Sequence, residues 1–484
     1  MNCKEQPVEQ QEQQRRVAVL GGGVAGLSAA WKLAEAGVAV DLYEAAPVLG
    51  GMAGSIREDG YIWDFGPHRF HSHNPAIINT VQDLLGDDLQ GRRLKTRVNF
   101  MDRYFDYPLN ASNLLSNLPK SVAALSLLDF IKMKVHQRFK PSVDDSFESW
   151  VVNRFGRRLY NIYFGPYTKK VWGRDPSLLS ASWAAQRVAV VDLWDLLMRV
   201  LHLRGGDNGF HHSEYKNDFW YPRHGVGQIA EGLARKATEH GAVLNTGTRI
   251  TAVEHSNGAI RAIHYQRGDE VFSQPCDAVV SSLPLPLLVR LLSPSPPTEV
   301  LNAAAALDYR AMIFCFVKID KPSVSDDHWT YFPDEKIIFN RTSEMRNFSE
   351  DAVPPGKTSL TLEITCDIGD EIWTTPEDEL YERSVDGLLE SGFIERREQV
   401  TGHFFRRLSH AYPTYDIDFE AKIGHMAYHL ADFGNLVNAG RQALFRYVNT
   451  DHVMEMGFSA ADELLEGSLG SRVGRVGSEQ VWFG

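Results

Sequence analysis

The chain is 484 residues long, with 62 acidic against 50 basic side chains, a formal net charge of −12 and 43% apolar residues. That length is too great for one simple core and implies two or three subdomains, while the acidic balance speaks against a nucleic-acid surface. No uninterrupted apolar run is long enough to span a bilayer, and the four cysteines (Cys3, Cys276, Cys315, Cys366) lie far apart without metal-ligand spacing, which fits a reduced, cytoplasmic protein.

Residues 1–14 are rich in Gln and Glu, lack an apolar segment, and read as a disordered tail rather than a signal peptide or anchor. The run Arg16 to Leu20 then reads as a buried parallel strand, Gly21-Gly22-Gly23 as a turn, and Leu27 to Glu35 continues at helical spacing. In such a strand–turn–helix unit Gly21 permits the tight turn, Gly23 lets the backbone approach a pyrophosphate, and Gly26 lets the helix pack against the strand. The helix N-terminus offers free N–H groups to an anion. A second strand, Val38 to Tyr43, delivers Glu44, an acidic group placed for a ribose diol and repulsive to a ribose 2′-phosphate. A glycine-rich turn with no ligand is the plain alternative. Directly afterwards Gly50-Gly51-Met52-Ala53-Gly54 supplies a second small-residue cluster; with Gly51 it favours an extended FAD over NAD.

Trp63 to Asn74 is a stiff loop with three histidines, His68, His71 and His73. No cysteine or further acidic ligand completes a metal site, so the expected role is to lay backbone and the His68 imidazole against a ring system. From Pro75 to about Gly205 the spacing predicts helices, including Ile77–Leu85, Ala124–Val135 and Phe147–Phe155. Within this stretch Tyr160, Phe164, Tyr167 and Trp172 interleave with Lys169, Lys170 and Arg174, and Trp183 and Arg187 follow. Aromatics alternating with bases suit a stacked nucleobase and a phosphate; aromatic core packing with solvated lysines is the competing reading.

After the turn at Trp220-Tyr221-Pro222-Arg223-His224-Gly225, an amphipathic helix from Gln228 to His240 and strands at Ala242–Leu244, Ile250–Glu254 and Ala278–Ser282 return the chain to the nucleotide-binding unit, with Val253 placed near the adenine. Strands are predicted at Ala311–Ile319, Thr330–Phe332, Ile337–Phe339 and Thr358–Cys366, in a mainly antiparallel layer that carries Arg341 and, beyond it, Tyr412. Last come a strand ending at Gly440-Arg441, then Tyr447, Asn449 and a helix from about Asp451 to Leu465, which again aims N–H groups at an electron-rich group. The fold class expected is α/β: a discontinuous Rossmann-type FAD-binding domain (15–75, 220–285 and 430–475), an inserted helical lobe (76–219) and an antiparallel sheet domain (286–429).

The segments Gly21–Gly26, Gly66-Pro67-His68-Arg69-Phe70-His71-Ser72, Leu159 through Gly173, Arg341-Thr342-Ser343-Glu344 and Gly440 through Tyr447 occur in an order that resembles the UDP-galactopyranose mutase family, within the wider amine-oxidase and protoporphyrinogen-oxidase-like FAD superfamily. The resemblance spans most of the chain. It implies reduced FAD acting without net redox change: flavin N5 attacks the anomeric carbon, UDP leaves, and the adduct lets the sugar ring open and reclose. Carried over by motif, His68 sits beside the isoalloxazine, and Tyr160, Phe164, Tyr167 and Trp172 shape the nucleotide side. Arg187 and Arg341 hold the diphosphate with Tyr412 and Tyr447 as hydroxyl partners, and Arg441 lies close to the flavin. The substrate implied is a UDP-sugar. With no separate NAD(P)H fingerprint, an external reductant such as NAD(P)H has to visit the same cavity. Two departures stand out: Arg187 is followed by Val188-Ala189-Val190-Val191 rather than a second base, and the Trp220–Gly225 turn looks like that of the oxidoreductase branch. The alternatives are therefore an FAD-dependent oxidation of an amine, polyene or ring substrate, or a flavin-binding protein without turnover.

Overall fold

The computed structural model describes residues 14–107, 113, 117–140, 142–187, 218–469 and 472–477, and leaves out the side chains of 186 and 187. The expected tail at 1–14 falls almost wholly outside the described residues, as does Cys3. Strand β1 (Arg16–Leu20) leads through the glycine turn into helix α1 (Val24–Glu35) and on to strand β2 (Ala39–Tyr43). β1 pairs in parallel with β2 on one side and with Ala278–Ser281 on the other, Val17 facing both Val40 and Ala278. Val243–Asn245 extends the sheet beyond β2, and Leu436–Asn438 extends it beyond Ala278–Ser281. A strand covered on both faces needs a continuous apolar run, and Val17 to Leu20 are at most 1% exposed. The last helix, Thr450–Glu466, packs on α1, its Gly457 so near that a Cβ there would lie 2.3 Å from the Ala25 carbonyl oxygen.

A second sheet of seven strands lies outside this unit, in the order Val400–Pro413, Tyr309–Ile319, Thr358–Cys366, Arg341–Glu344, Trp329–Tyr331, Thr96–Phe100, Arg103–Asp106. Its pairings are antiparallel except that of Trp329–Tyr331 with Thr96–Phe100. A four-stranded sheet holds Thr248–Ser256 between Ala259–Arg267 and the short Leu292–Ser293, with Glu270–Pro275 at its edge. Two ribbons, Ser55–Glu58 with Tyr61–Asp64 and Leu89–Arg93 with Asp218–Pro222, complete the β-structure among the described residues. One large hydrophobic core runs from the strand Tyr61–Asp64 through the helices around Phe147, Trp172 and Trp183 to the face of the seven-stranded sheet.

Three local expectations change. The helices over Ile77–Leu85, Ala124–Val135 and Phe147–Phe155 form, but Leu89–Arg93, Thr96–Phe100 and Arg103–Asp106 are strands inside the stretch read as helical. Leu89–Arg93 and Thr96–Phe100 pair with partners distant in sequence, which a local period cannot register, and Arg103–Asp106 is the hairpin partner of Thr96–Phe100. Ile337–Phe339 is a turn rather than a strand. Lys170 Nζ reaches into it and donates to the carbonyls of Phe332, Asp334 and Phe339 at 2.6–2.9 Å, so those backbone acceptors are spent on a side chain. Ile250–Glu254 forms as expected, within the strand Thr248–Ser256 of the four-stranded sheet, but Val253 is 0% exposed within the core, so its side chain presents no surface to an adenine.

Candidate active site

The glycine turn is built as three different devices. Gly21 has φ +102°, a conformation that favours glycine, and a Cβ there would lie 2.2 Å from Ser282 Oγ. Gly26 sits inside α1, where a Cβ would fall 2.0 Å from the Gly21 carbonyl oxygen. Gly23 differs from both: its backbone is ordinary (φ −75°) and a Cβ would meet nothing within 4 Å. Space in front of Gly23, at the N-terminus of a twelve-residue helix with no side-chain cap, is the cradle a pyrophosphate requires. Glu44 closes the turn: its carboxylate accepts from the N–H groups of Gly22 at 2.7 Å and Ala46 at 2.8 Å. Gly51 has φ +56° and lies against Gly23, next to the bridge between Gly23 and Gly50.

Gly440 is turned to φ +106° with its missing Cβ pointed 2.9 Å from the Ala25 side chain, which sets the Gly440-Arg441 turn against the start of α1. Asn449 is the residue before the helix Thr450–Glu466, and its side chain makes no capping bond. Asp451, in the first turn of that helix, instead contacts His452 at 3.0 Å. Arg441 stacks its guanidinium 4.0 Å from the Tyr447 ring centre and 5.1 Å from that of Tyr412, and donates to the Ala411 carbonyl at 3.3 Å. Its Nε is buried without a protein partner. Tyr412 and Tyr447 lie parallel, ring centres 5.3 Å apart, and Trp172 meets Tyr412 at 6.0 Å.

Arg341, the first residue of its strand, donates two hydrogen bonds of 2.7 Å to Glu363 across the ladder and a third of 3.1 Å to the Tyr412 hydroxyl. Burial is the largest single influence and opposes the Arg341 charge, but Glu363, Tyr412 and Tyr331 together raise the guanidinium well above its ordinary range. Arg341 also stands over the Tyr331 ring at 5.9 Å, and Tyr331 meets Tyr167 at 6.1 Å. His68 lies within the field of both Arg441 and Arg341. Burial pushes its imidazole down to about 4 and the two guanidiniums push the same way, so it is neutral at pH 7, hydrogen-bonded to the backbone of Phe65 and Met52.

Among the residues expected at the site, His68, Arg341, Arg441, Tyr412, Tyr447, Trp172 and Tyr167 are thus brought together. Tyr160 and Phe164 are not joined to them by direct contact. Tyr160 donates to Glu148 at 3.2 Å, and Phe164 packs on Phe155 at 4.8 Å. Both lie in a π-helical turn, Tyr160–Phe164, that also carries Tyr163. Such a turn inserts one residue into the helical register, re-aiming Tyr167 beyond it. Arg187 ends the helix Ala181–Arg187, and its side chain is outside the described residues. Glu363 and Tyr331 were not foreseen. The available signal for Glu363 was a single carboxylate inside an otherwise uncharged, largely apolar strand, Thr358–Cys366, which demands a buried partner. Among the described residues no group of three His, Cys, Asp or Glu is gathered for a metal ion, and no helix is long and apolar enough to cross a membrane.

The sequence model of the family described as flavin containing amine oxidoreductase matches residues 24–416. A "probable UDP-galactopyranose mutase" of Klebsiella pneumoniae is 27% identical over 35% of this chain and 44% of its own. A mitochondrial protoporphyrinogen oxidase of Nicotiana tabacum is 30% identical over 38% of this chain and 37% of its own. A dTDP-fucopyranose mutase of Escherichia coli is 25% identical over 34% and 44%. The matched stretches therefore span less than half the length of each of these relatives. In three dimensions the chain is similar to a crystal structure of reduced UDP-galactopyranose mutase, with a TM-score of 0.83 at 24% identity, covering 97% of this chain and 100% of that one. A putrescine oxidase bound to putrescine superposes with a TM-score of 0.61 at 14% identity over 94% and 99%. The fold is accordingly the mixed α/β one of these flavoproteins, and, matched along most of its length, the chain belongs to the flavin-containing amine oxidoreductase family.

Proposed function

We propose that this chain is an FAD-dependent enzyme that rearranges a nucleotide-linked sugar, with a UDP-sugar as substrate class, and without net oxidation. The observation that carries the reading is the wall of Arg341, Arg441, Tyr412 and Tyr447 facing neutral His68 beside the glycine cradle. The resemblance to mutases over short stretches of sequence and the overlap with a mutase along the whole chain support it.

Family membership implies FAD, and the residues fit it: open space before Gly23, an uncapped helix N-terminus, and a buried Arg441 Nε that lacks a partner. Gly21, Gly23, Gly26 and Gly51 would give the pyrophosphate its backbone, Glu44 the ribose its acceptor, and Gly440, Arg441 and Asn449 the other end of the cofactor. Bound in reduced form, FAD supplies an electron-rich centre for the anomeric carbon of the sugar. The protein's own contribution is charge. A departing diphosphate gains negative charge, and fixed guanidinium donors in a site closed to water stabilise it without reorganising. Tyr412, already oriented by Arg341, and Tyr447 offer hydroxyls to the same oxygens. Neutral His68 can hold or move one proton without adding a third cation beside the two arginines.

A second reading, oxidation of a small organic substrate, is favoured by one feature. The Arg341–Glu363 pair is neutral as a whole, so Arg341 offers a diphosphate less than a free guanidinium would. Titration of UDP and UDP-sugars against the flavin absorbance, followed by product analysis with reduced and oxidised enzyme, separates the two. Isomerised UDP-sugar from reduced enzyme alone is the expected result; indifference to every UDP-sugar, together with substrate-dependent bleaching of oxidised flavin, favours oxidation. Arg187→Ala and Arg341→Ala should each weaken UDP binding by about 1.5–3 kcal/mol, measured by calorimetry, and unchanged affinity in both removes the diphosphate assignment.

A further inference from the structure

Asp64 ends the strand Tyr61–Asp64, is 0% exposed, and touches none of the arginine and tyrosine groups just described. Its carboxylate accepts hydrogen bonds from the hydroxyls of Tyr221 and Ser55, both at 2.6 Å, and from the Val226 N–H at 3.2 Å. Ser55 Oγ in turn accepts from the Gly227 N–H at 2.8 Å, so the carboxylate ties the first ribbon to the turn that opens the helix Gly227–Glu239. Its main chain is held as firmly. The Asp64 carbonyl accepts from the Gly66 N–H at 2.9 Å and the Thr361 hydroxyl at 3.2 Å. Gly66, at φ +89°, is pressed on the far side against the ion pair: a Cβ there would lie 2.8 Å from Glu363 Oε1 and 3.5 Å from Arg341 Nη2. The loop that carries His68 is therefore clamped between Asp64 and the Arg341–Glu363 pair.

We propose that Asp64 is a positioning residue for the flavin site, acting through the Phe65–His68 loop, and that gain or loss of its proton moves that loop. Ionised, the carboxylate accepts all three bonds and holds the loop in the arrangement described. Protonated on the Tyr221 side, it has to donate to the phenol oxygen, and the Tyr221 hydrogen turns away from it. The Val226 N–H, shared between both oxygens in the ionised form, then keeps only Oδ1, so the carboxyl re-seats, and the shift passes along the Asp64 main chain to Gly66, whose N–H the Asp64 carbonyl holds. The groups facing Asp64 support such a titration. Burial raises its carboxyl to about 6, against the pull of Ser55, Tyr221, Val226 and the Arg57 guanidinium, which itself is engaged with Glu231. The Tyr221 phenol, raised well above its ordinary range by burial and by Asp64, with Arg57 and Arg92 opposing, keeps its hydrogen. Beyond the loop lie His68, neutral, and the paired Arg341 and Glu363.

The inference rests on the flavin part of the functional reading and is independent of the sugar. Its test is the visible absorbance of the bound flavin between pH 5 and 8 in the wild-type holoenzyme, Asp64→Asn and Tyr221→Phe. The wild type should show an inflection near pH 6. Asp64→Asn, which keeps the acceptor but cannot titrate, should lose it. Tyr221→Phe, which removes a charge-assisted bond from the ionised form and a weaker neutral one from the protonated form, should move it up by a fraction of a pH unit to about one unit. If Asp64→Asn does not fold, the shift in Tyr221→Phe decides alone. A coloured wild type with no inflection, or one that stays at the same pH in the variants, overturns the role of Asp64. A colourless wild type overturns the flavin reading and this inference with it.

Discussion

Glycines 23 and 26 separate two reasons for having no side chain. Gly26 is required by packing, since its neighbour is backbone at 2.0 Å, whereas Gly23 faces open space and has a backbone that any residue adopts. Gly26→Ala should therefore lower the unfolding free energy by about 1–3 kcal/mol or more, read by urea denaturation. Gly23→Ala should change it by less than about 1 kcal/mol and yet weaken FAD retention in dialysis. Equal effects of the two on stability would mean that Gly23 serves the fold and not a ligand. At the ion pair, Glu363→Gln leaves a guanidinium with 16% side-chain exposure facing a neutral amide, and should cost about 3–5 kcal/mol of stability, since removing one partner strands the other. Both glycines were legible because their meaning is local to one turn. Glu363 was not, because what makes it a site residue is a partner on the neighbouring strand.

Loops and turns show the same division. The histidine loop is stiff for reasons that the residues Gly66-Pro67 announce, but the neutrality of its imidazole is imposed by burial and by Arg441 and Arg341, which come from elsewhere in the chain. His68 titrates at about 4 in the fold, against about 6.5 for a free imidazole, and so does His328, buried between Phe219 and Phe348. Between pH 4 and 6.5 the unfolded chain binds more protons at these two groups, so their contribution to stability falls as pH drops through that window. Asp64, raised to about 6, acts in the opposite sense, its neutral form favouring the fold below that value. The two imidazoles outweigh the one carboxyl. Replacing His328 by Gln should shrink the difference in unfolding free energy between pH 7 and pH 4.5 by about 2 kcal/mol, measured by chemical denaturation. An unchanged difference would place the acid sensitivity elsewhere. The turn at Ile337–Phe339 makes a related point: its apolar residues read as a strand, but Lys170, a long way back in the chain, claims the Phe339 carbonyl that a ladder would have used.

For the whole molecule, the parallel unit was readable because its strands are short buried runs joined by glycine turns, each carrying its own signal. The order of the seven-stranded sheet was not. It recruits Thr96–Phe100 and Arg103–Asp106 from a stretch whose surrounding period is helical, and it pairs Trp329–Tyr331 in parallel with the first of these across a long sequence gap. That sheet brings Arg341 and Tyr412 to the glycine cradle, so the site depends on contacts that no window of sequence contains. A cofactor that spans these segments should stabilise them as one unit, by about 2.7 kcal/mol when free FAD is a hundredfold above its dissociation constant. The most direct test of the central claim, that separate segments close around one flavin dinucleotide, is the visible spectrum and FAD content of the purified chain after reconstitution and gel filtration. A yellow protein with about one FAD per chain, released by unfolding, is the expected result; a colourless protein that takes up no FAD would contradict it.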